Sequence, residues 1–174
     1  PRPGSLNMSM EWMSDAPTPF SKVLVANRGE IAVRVLQAAK EAGLSCVAVF
    51  SASDSSSLHV EIADEAVLLE GDSLEMTYLN GNSIIEAARS TGADAIHPGY
   101  GFLSERPDFA SAVEAAGIRW IGPSSHAIET MGDKISARTL MIESGVPVIP
   151  GEQIPVEEGA DHLGALASAA AKVG

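Results

Sequence analysis

The stretch Lys22-Val-Leu-Val-Ala-Asn-Arg-Gly-Glu-Ile-Ala-Val-Arg34 decides the fold of this chain. Val23 to Ala26 is a short apolar run with β-branched residues, the pattern of a parallel strand buried on both faces. Asn27, Arg28 and Gly29 interrupt it. Ile31, Val35, Ala38 and Ala42 then recur at intervals of four, three and four, the period of one helix face. A strand, a tight turn and a helix in that order open a doubly wound α/β fold. The turn holds a single glycine, so it lacks the G-x-G-x-x-G spacing of a dinucleotide-binding loop. Whether it meets phosphate regardless depends on the rest of the chain.

The segment that follows sets a punctuation that repeats. Glu41-Ala-Gly43 closes the first helix with glycine just past its end, where a left-handed residue is favoured. The same mark returns at Thr91-Gly92-Ala93, Ala116-Gly117-Ile118 and Ser144-Gly145-Val146. Each is followed by a short apolar run, at residues 46–50, 94–96, 119–121 and 146–149. A further strand is predicted at 66–69, after a helical turn at 59–64. Helices are predicted at 82–90, at 106–116, just after Pro123-Ser124-Ser125, and from Asp133, a good N-cap, onward. The sum is an α/β fold: a Rossmann-like parallel sheet of about five strands, with helices on both faces and right-handed crossovers.

From Pro147 the pattern changes. Pro147, Pro150, Gly151 and Pro155, then Glu157, Glu158 and Asp161, read as a linker. Residues 163–173 form an alanine-rich helix that calls for a partner domain. The expected plan is a disordered leader over 1–21, a domain over 22–146, and a linker with one helix over 147–174 that looks cut in mid-architecture.

Composition narrows the function. With 23 acidic and 11 basic residues the net charge is −12, which argues against a nucleic-acid-binding module. Anionic small molecules stay open, because they bind through local amides and single cations. No apolar run approaches the length of a membrane span. The one cysteine, Cys46, lies in a strand-like run and reads as a buried structural thiol. No disulfide can form within the chain, which fits a reducing compartment such as the cytoplasm.

In an open α/β sheet, ligands sit beyond the carboxyl ends of the strands. Three loops are expected there: 27–30, 97–105 and 122–125. In the second, Pro98, Gly99 and Gly101 force a turn, and Tyr100 stands between two glycines that let backbone approach a ligand. Tyr100 could present its ring and hydroxyl to a bound group, or Tyr100 and Phe102 could pack as lids on the core. His97 reads as a hydrogen-bonded structural histidine. Lys134 falls in the first turn of a helix, where it is a solvated surface lysine or, because the dipole there disfavours a lone cation, shares the site with a phosphate. Glu30 and Arg34 are spaced for a helical ion pair. His59 and His126 are expected in exposed, polar surroundings. No Cys/His cluster suggests zinc, and no Gly-x-Ser-x-Gly elbow suggests a serine hydrolase.

These segments resemble the N-terminal part of biotin carboxylase, the ATP-grasp component of the biotin-dependent carboxylases. The likeness spans residues 22–151. It is carried by Val25-Ala-Asn-Arg-Gly-Glu-Ile-Ala-Val-Arg34, Ala63-Asp-Glu65, Tyr78-Leu-Asn80, Ala95-Ile-His-Pro-Gly-Tyr-Gly-Phe-Leu-Ser-Glu105, Ile121-Gly-Pro123, Met131-Gly-Asp-Lys134 and Gly145-Val-Pro-Val-Ile-Pro-Gly151, in the family's order.

The resemblance implies an activity: carboxylation of carrier-bound biotin at a ureido nitrogen, with bicarbonate and MgATP, through carboxyphosphate. It implies that Lys134 matches a lysine that contacts ATP phosphate. Tyr100 and Gly101 match the loop lining the biotin pocket, and Arg34 and Glu41 match positions near a homodimer contact. Gln37 stands where some members carry a basic dimer residue. The partners implied are bicarbonate, a biotin carboxyl carrier protein or domain, and a carboxyltransferase subunit or domain. An acetyl-CoA or propionyl-CoA carboxylase is the first expectation, with a pyruvate or methylcrotonyl-CoA carboxylase as the alternative, in the cytoplasm or, in a eukaryote, the mitochondrial matrix. The family's magnesium-binding glutamates, glycine-rich lid loop and bicarbonate-handling residues fall beyond residue 174. The chain alone is therefore expected to bind ATP weakly and not to turn over. The alternative is a free-standing, non-catalytic nucleotide-binding or interaction module on the same scaffold.

Overall fold

A computed structural model describes residues 20–151, 154 and 162–173. Most of the leader, and Pro155, Glu157, Glu158 and Asp161 of the linker, lie outside the described residues. The elements run β1 (Lys22–Val25), α1 (Gly29–Glu41), β2 (Ser45–Phe50), α2 (Leu58–Ile62), β3 (Glu65–Leu68), α3 (Gly81–Thr91), β4 (Ala95–His97), α4 (Pro107–Ala115), β5 (Arg119–Trp120), α5 (Ser125–Gly132), α6 (Lys134–Glu143) and α7 (His162–Val173). They fall into two compact units. The first holds 20–104 with 109–122, and the second holds 105–108 with the described residues from 123 onward.

The first unit is a five-stranded parallel sheet in the order β3-β2-β1-β4-β5. Val23, Leu24 and Val25 alternate between the two faces of β1, yet all three are buried, so both faces are covered. One face carries α1. Ala32 and Leu36 pack against Val23, Val25, Cys46, Ala48 and Ala95, with Phe20, Val35 and Ala39 around them. Removing Leu36 from water contributes about 2 kcal/mol. The Cys46 thiol is buried in this layer, as expected, and burial pushes its pKa up. Ser21 and Lys22 donate backbone N–H groups to the Asp94 carboxylate, which fastens the start of β1 beside β4.

The glycine punctuation is real. Gly43, Gly92, Gly117 and Gly145 all sit at positive φ, between 68° and 78°. The first three return the chain to strands. The fourth does not: residues 146–149 form no strand, contrary to expectation. Val146 and Ile149 are exposed, and Pro147 and Pro150 lack the N–H that a sheet ladder needs. Side-chain caps start three helices: Asn80 accepts from Ser83 N, Ser124 from Ala127 N, and Asp133 from Ser136 N. His59 is also a correction. It is buried, not exposed, with Nε2 3.3 Å from the Val49 carbonyl oxygen. Burial lowers its pKa, so the ring is neutral.

Candidate functional site

The strand order reverses at β1, which pairs with β2 on one side and β4 on the other. In a doubly wound sheet the crevice beyond such a reversal is where ligands bind. Val25 is in register with His97, and Ala26 N–H donates to the His97 carbonyl at 2.9 Å. The turn after β1 and the loop after β4 therefore leave the sheet side by side.

Asn27 joins them. Its side chain is fully buried, and its amide nitrogen donates to Pro98 O at 2.8 Å and Tyr100 O at 3.1 Å. Its side-chain oxygen accepts from Arg28 N–H at 2.9 Å, so both ends of the amide are used. Gly99 lies against this amide at φ +69°. A Cβ there would sit 2.7 Å from Asn27 Nδ2 and 2.7 Å from Ile31 Cγ2.

Arg28 holds the far end of the loop. Its guanidinium lies 5.5 Å from the Tyr78 ring centroid and 5.8 Å from that of Phe102, and these two rings stack 5.3 Å apart. Phe102 has φ +48°, the one non-glycine residue at positive φ among those described, a conformation worth about 1–2 kcal/mol of strain. Stacking and the cation–π contact offset a comparable amount. Asp54 gathers Arg28 (3.3 Å), the Tyr78 hydroxyl (2.7 Å) and the Ser51 hydroxyl (2.9 Å). Burial alone would raise the Asp54 pKa, but these donors outweigh it and hold the carboxyl below its ordinary value. Burial, with the bond to Asp54, pushes the Tyr78 phenol up to about 12. Arg28 also borders a polar cavity of about 420 Å³ with Ser51, Ser73 and Thr77.

Tyr100 and Phe102 part company. Phe102 packs, whereas Tyr100 is 58% exposed, and its hydroxyl donates to Glu30 Oε1 at 2.7 Å. That bond raises the phenol's pKa. Glu30 was expected to pair with Arg34. It bonds Tyr100 instead, and no Glu30–Arg34 ion pair forms among the described residues. Gly101 is exposed at φ +72°. His97 is structural, as expected: Nδ1 accepts from Gly99 N–H at 3.0 Å, and burial lowers its pKa and keeps the ring neutral. An apolar cavity of about 490 Å³ lies alongside, lined by Val23, Ile31, Val35, Ala38 and Gly99, with Arg34 and Tyr100 at its polar margin.

Arg34, Gln37 and Glu41 all lie exposed along α1, at spacings that place them on one side of the helix. Lys134 belongs to the second unit. It is the first residue of α6, exposed, directly after the Asp133 cap. The Asp133 carboxylate already accepts from Ser136 N–H at 2.8 Å, so the lysine ammonium is the group that this turn offers to an anionic oxygen. Among the described residues no group of three or more His, Cys, Asp and Glu side chains converges as a metal site, and no helix is long and apolar enough to cross a membrane. Sequence reasoning missed Asn27, Asp54 and Tyr78 as organisers of this crevice. The available signal was an asparagine placed where a strand stops and a turn begins.

Residues 19–128 match the family described as biotin carboxylase, N-terminal domain. The methylcrotonoyl-CoA carboxylase subunit alpha, mitochondrial, of Dictyostelium discoideum is 50% identical over 90% of this chain and 22% of that protein. The biotin carboxylase of Halalkalibacterium halodurans is 51% identical over 83% of this chain and 32% of that protein. Among solved structures, the biotin carboxylase domain of a thermophilic 2-oxoglutarate carboxylase bound to bicarbonate matches with a TM-score of 0.79 and 44% identity, over 89% of this chain and 34% of that one. The chain spans from 12% to 33% of the length of the curated relatives it matches.

Proposed function

The chain belongs to the biotin carboxylase N-terminal domain family, and from that premise we propose that it is the opening part of an ATP-dependent ligase that carboxylates carrier-bound biotin. The substrates in this reading are bicarbonate, MgATP and the biotin of a carrier protein or domain, and the route passes through carboxyphosphate. Magnesium, when bound, screens the phosphate charge. This chain contributes placement. Lys134 supplies an ammonium to an ATP phosphate. Tyr100 and Gly101 supply one wall of the biotin pocket. Arg34 and Glu41 lie on the surface assigned to a second copy of the chain.

The single observation that carries the reading is the crevice at the strand reversal, where Tyr100 is exposed while both its main chain and its hydroxyl are held. A tyrosine serving only as packing would be buried, as Tyr78 is. The carboxyl acceptor is a separate matter. Methylcrotonoyl-CoA, pyruvate and acyl-coenzyme A carboxylases match this chain at 50%, 51% and 49% identity. Likeness in this region therefore does not sort relatives by acceptor, which fits a choice made in the carboxyltransferase part.

The test compares Lys134→Ala with Arg28→Ala in the complete enzyme. Lys134→Ala is expected to raise KM for ATP about ten- to a hundredfold, the loss of a hydrogen bond to a charged group, and Arg28→Ala much less. The reverse order would move the phosphate contact to the turn after β1.

A further inference from the structure

We propose that Glu30 is a positioning residue, which aims the Tyr100 side chain into the crevice and acts on biotin through that side chain alone. This rests on the reading above that the 97–105 loop lines the biotin pocket.

Tyr100 has little else to fix it. Gly99 and Gly101 on either side both have positive φ, and the ring is 58% exposed, so no packed wall selects its rotamer. Its main-chain carbonyl is held by Asn27, at 3.1 Å. Its hydroxyl is held by Glu30, at 2.7 Å. Both anchors come from one turn, three residues apart in sequence and about seventy residues from the tyrosine. With its two ends fixed, the side chain between them has one direction. Glu30 is exposed and forms no ion pair with Arg34 among the described residues, and its Oε1 accepts from the tyrosine hydroxyl. The raised pKa of the phenol agrees with this: the proton stays on Tyr100, shared toward Glu30. The oxygen then faces a ligand with lone pairs only. A glutamine at position 30 would still offer a carbonyl oxygen to accept that proton, whereas an alanine would not.

The experiment uses the complete enzyme with free biotin, and measures KM for biotin and for ATP in Glu30→Ala, Glu30→Gln, Tyr100→Phe, Tyr100→Ala and the Glu30→Ala/Tyr100→Phe double variant. Glu30→Ala is expected to raise KM for biotin about three- to tenfold, the scale of one hydrogen bond, and to leave KM for ATP and the thermal midpoint unchanged. Glu30→Gln should recover most of the loss. In the Tyr100→Phe background Glu30→Ala should add nothing further, since the bond is already gone. A full additional effect in that background overturns the proposal, as does an equal rise in KM for ATP. If Tyr100→Ala raises KM for biotin but Glu30→Ala does not, the positioning role fails and the pocket reading stands. If Tyr100→Ala leaves KM for biotin unchanged, the pocket reading fails and the proposal falls with it.

Discussion

The loop after β4 and the first turn of α6 carry the two residues on which the proposed chemistry depends, and they are built in opposite ways. Tyr100 is exposed, yet every bond that sets its direction is supplied from within its own unit: Asn27 to its backbone, Glu30 to its hydroxyl, Arg28 and Tyr78 to the neighbouring Phe102. Lys134 starts a helix in which no residue is buried, and apart from the Asp133 cap its setting is the helix terminus itself. One residue is placed by a network of side chains. The other is placed by backbone geometry and keeps the freedom of a long side chain. A tyrosine that must present one face of a ring to a ligand needs the first kind of support, and a lysine that follows a phosphate needs only the second.

This contrast can be broken at three points. Gly99→Ala should be the most damaging. The new Cβ meets the Asn27 amide and Ile31 at 2.7 Å in a backbone with positive φ, so the chain should lose about 3 kcal/mol of stability in urea denaturation followed by circular dichroism. A loss below about 1 kcal/mol would mean that the loop is not held against the turn. Next comes pH. His59 and His97 are neutral in the folded protein because burial lowers their pKa values below the ordinary 6.5. Their contribution is therefore present above about 6.5 and is lost as pH falls below it, where the unfolded chain takes up protons first. The urea midpoint should fall between about pH 7.5 and about pH 5.5, less so in His59→Leu, and a flat profile would remove the buried neutral rings from the account. The smallest effect belongs to the second unit. Ile142→Ser on α6 should stay within about 0.5 kcal/mol, because the side chain is 54% exposed. A loss of 2 kcal/mol or more would show that α6 is supported as firmly as the loop.

The sheet could be read from the chain because its signals are local. Apolar runs, a helical period and glycines at positive φ each act over a few residues, so β1, β2 and the helix ends were found within a residue or two. Where a local signal competed with another, the reading failed: residues 146–149 are apolar, but Pro147 within the run and Pro150 after it deny them a ladder. The crevice was half legible. Its position follows from strand order, and Tyr100 stood out between its glycines. Its wiring did not, because the bonds that tie its separate segments together join residues 24 to 73 positions apart. The rule for a helical Glu–Arg pair looked along α1, and the Tyr100 hydroxyl arrived from elsewhere. His59 was misplaced for the same reason: a polar residue in a short helix gives no hint that its ring lies beneath the Val49 carbonyl.

The central place of β1 also has a consequence for synthesis. Ribosomes release chains from the N-terminus, and short-range contacts close before long-range ones. The pairing of β1 with β2 joins Lys22 to Ser45, whereas the pairing with β4 must wait for Ala95 to His97. A β–α–β unit ending at Phe50 can thus assemble on the emerging chain while the tyrosine loop is still being translated. Asn27, Arg28 and Glu30 would then stand on finished structure when Tyr100 appears, and the nascent loop would meet a template instead of having to fold against another unformed segment.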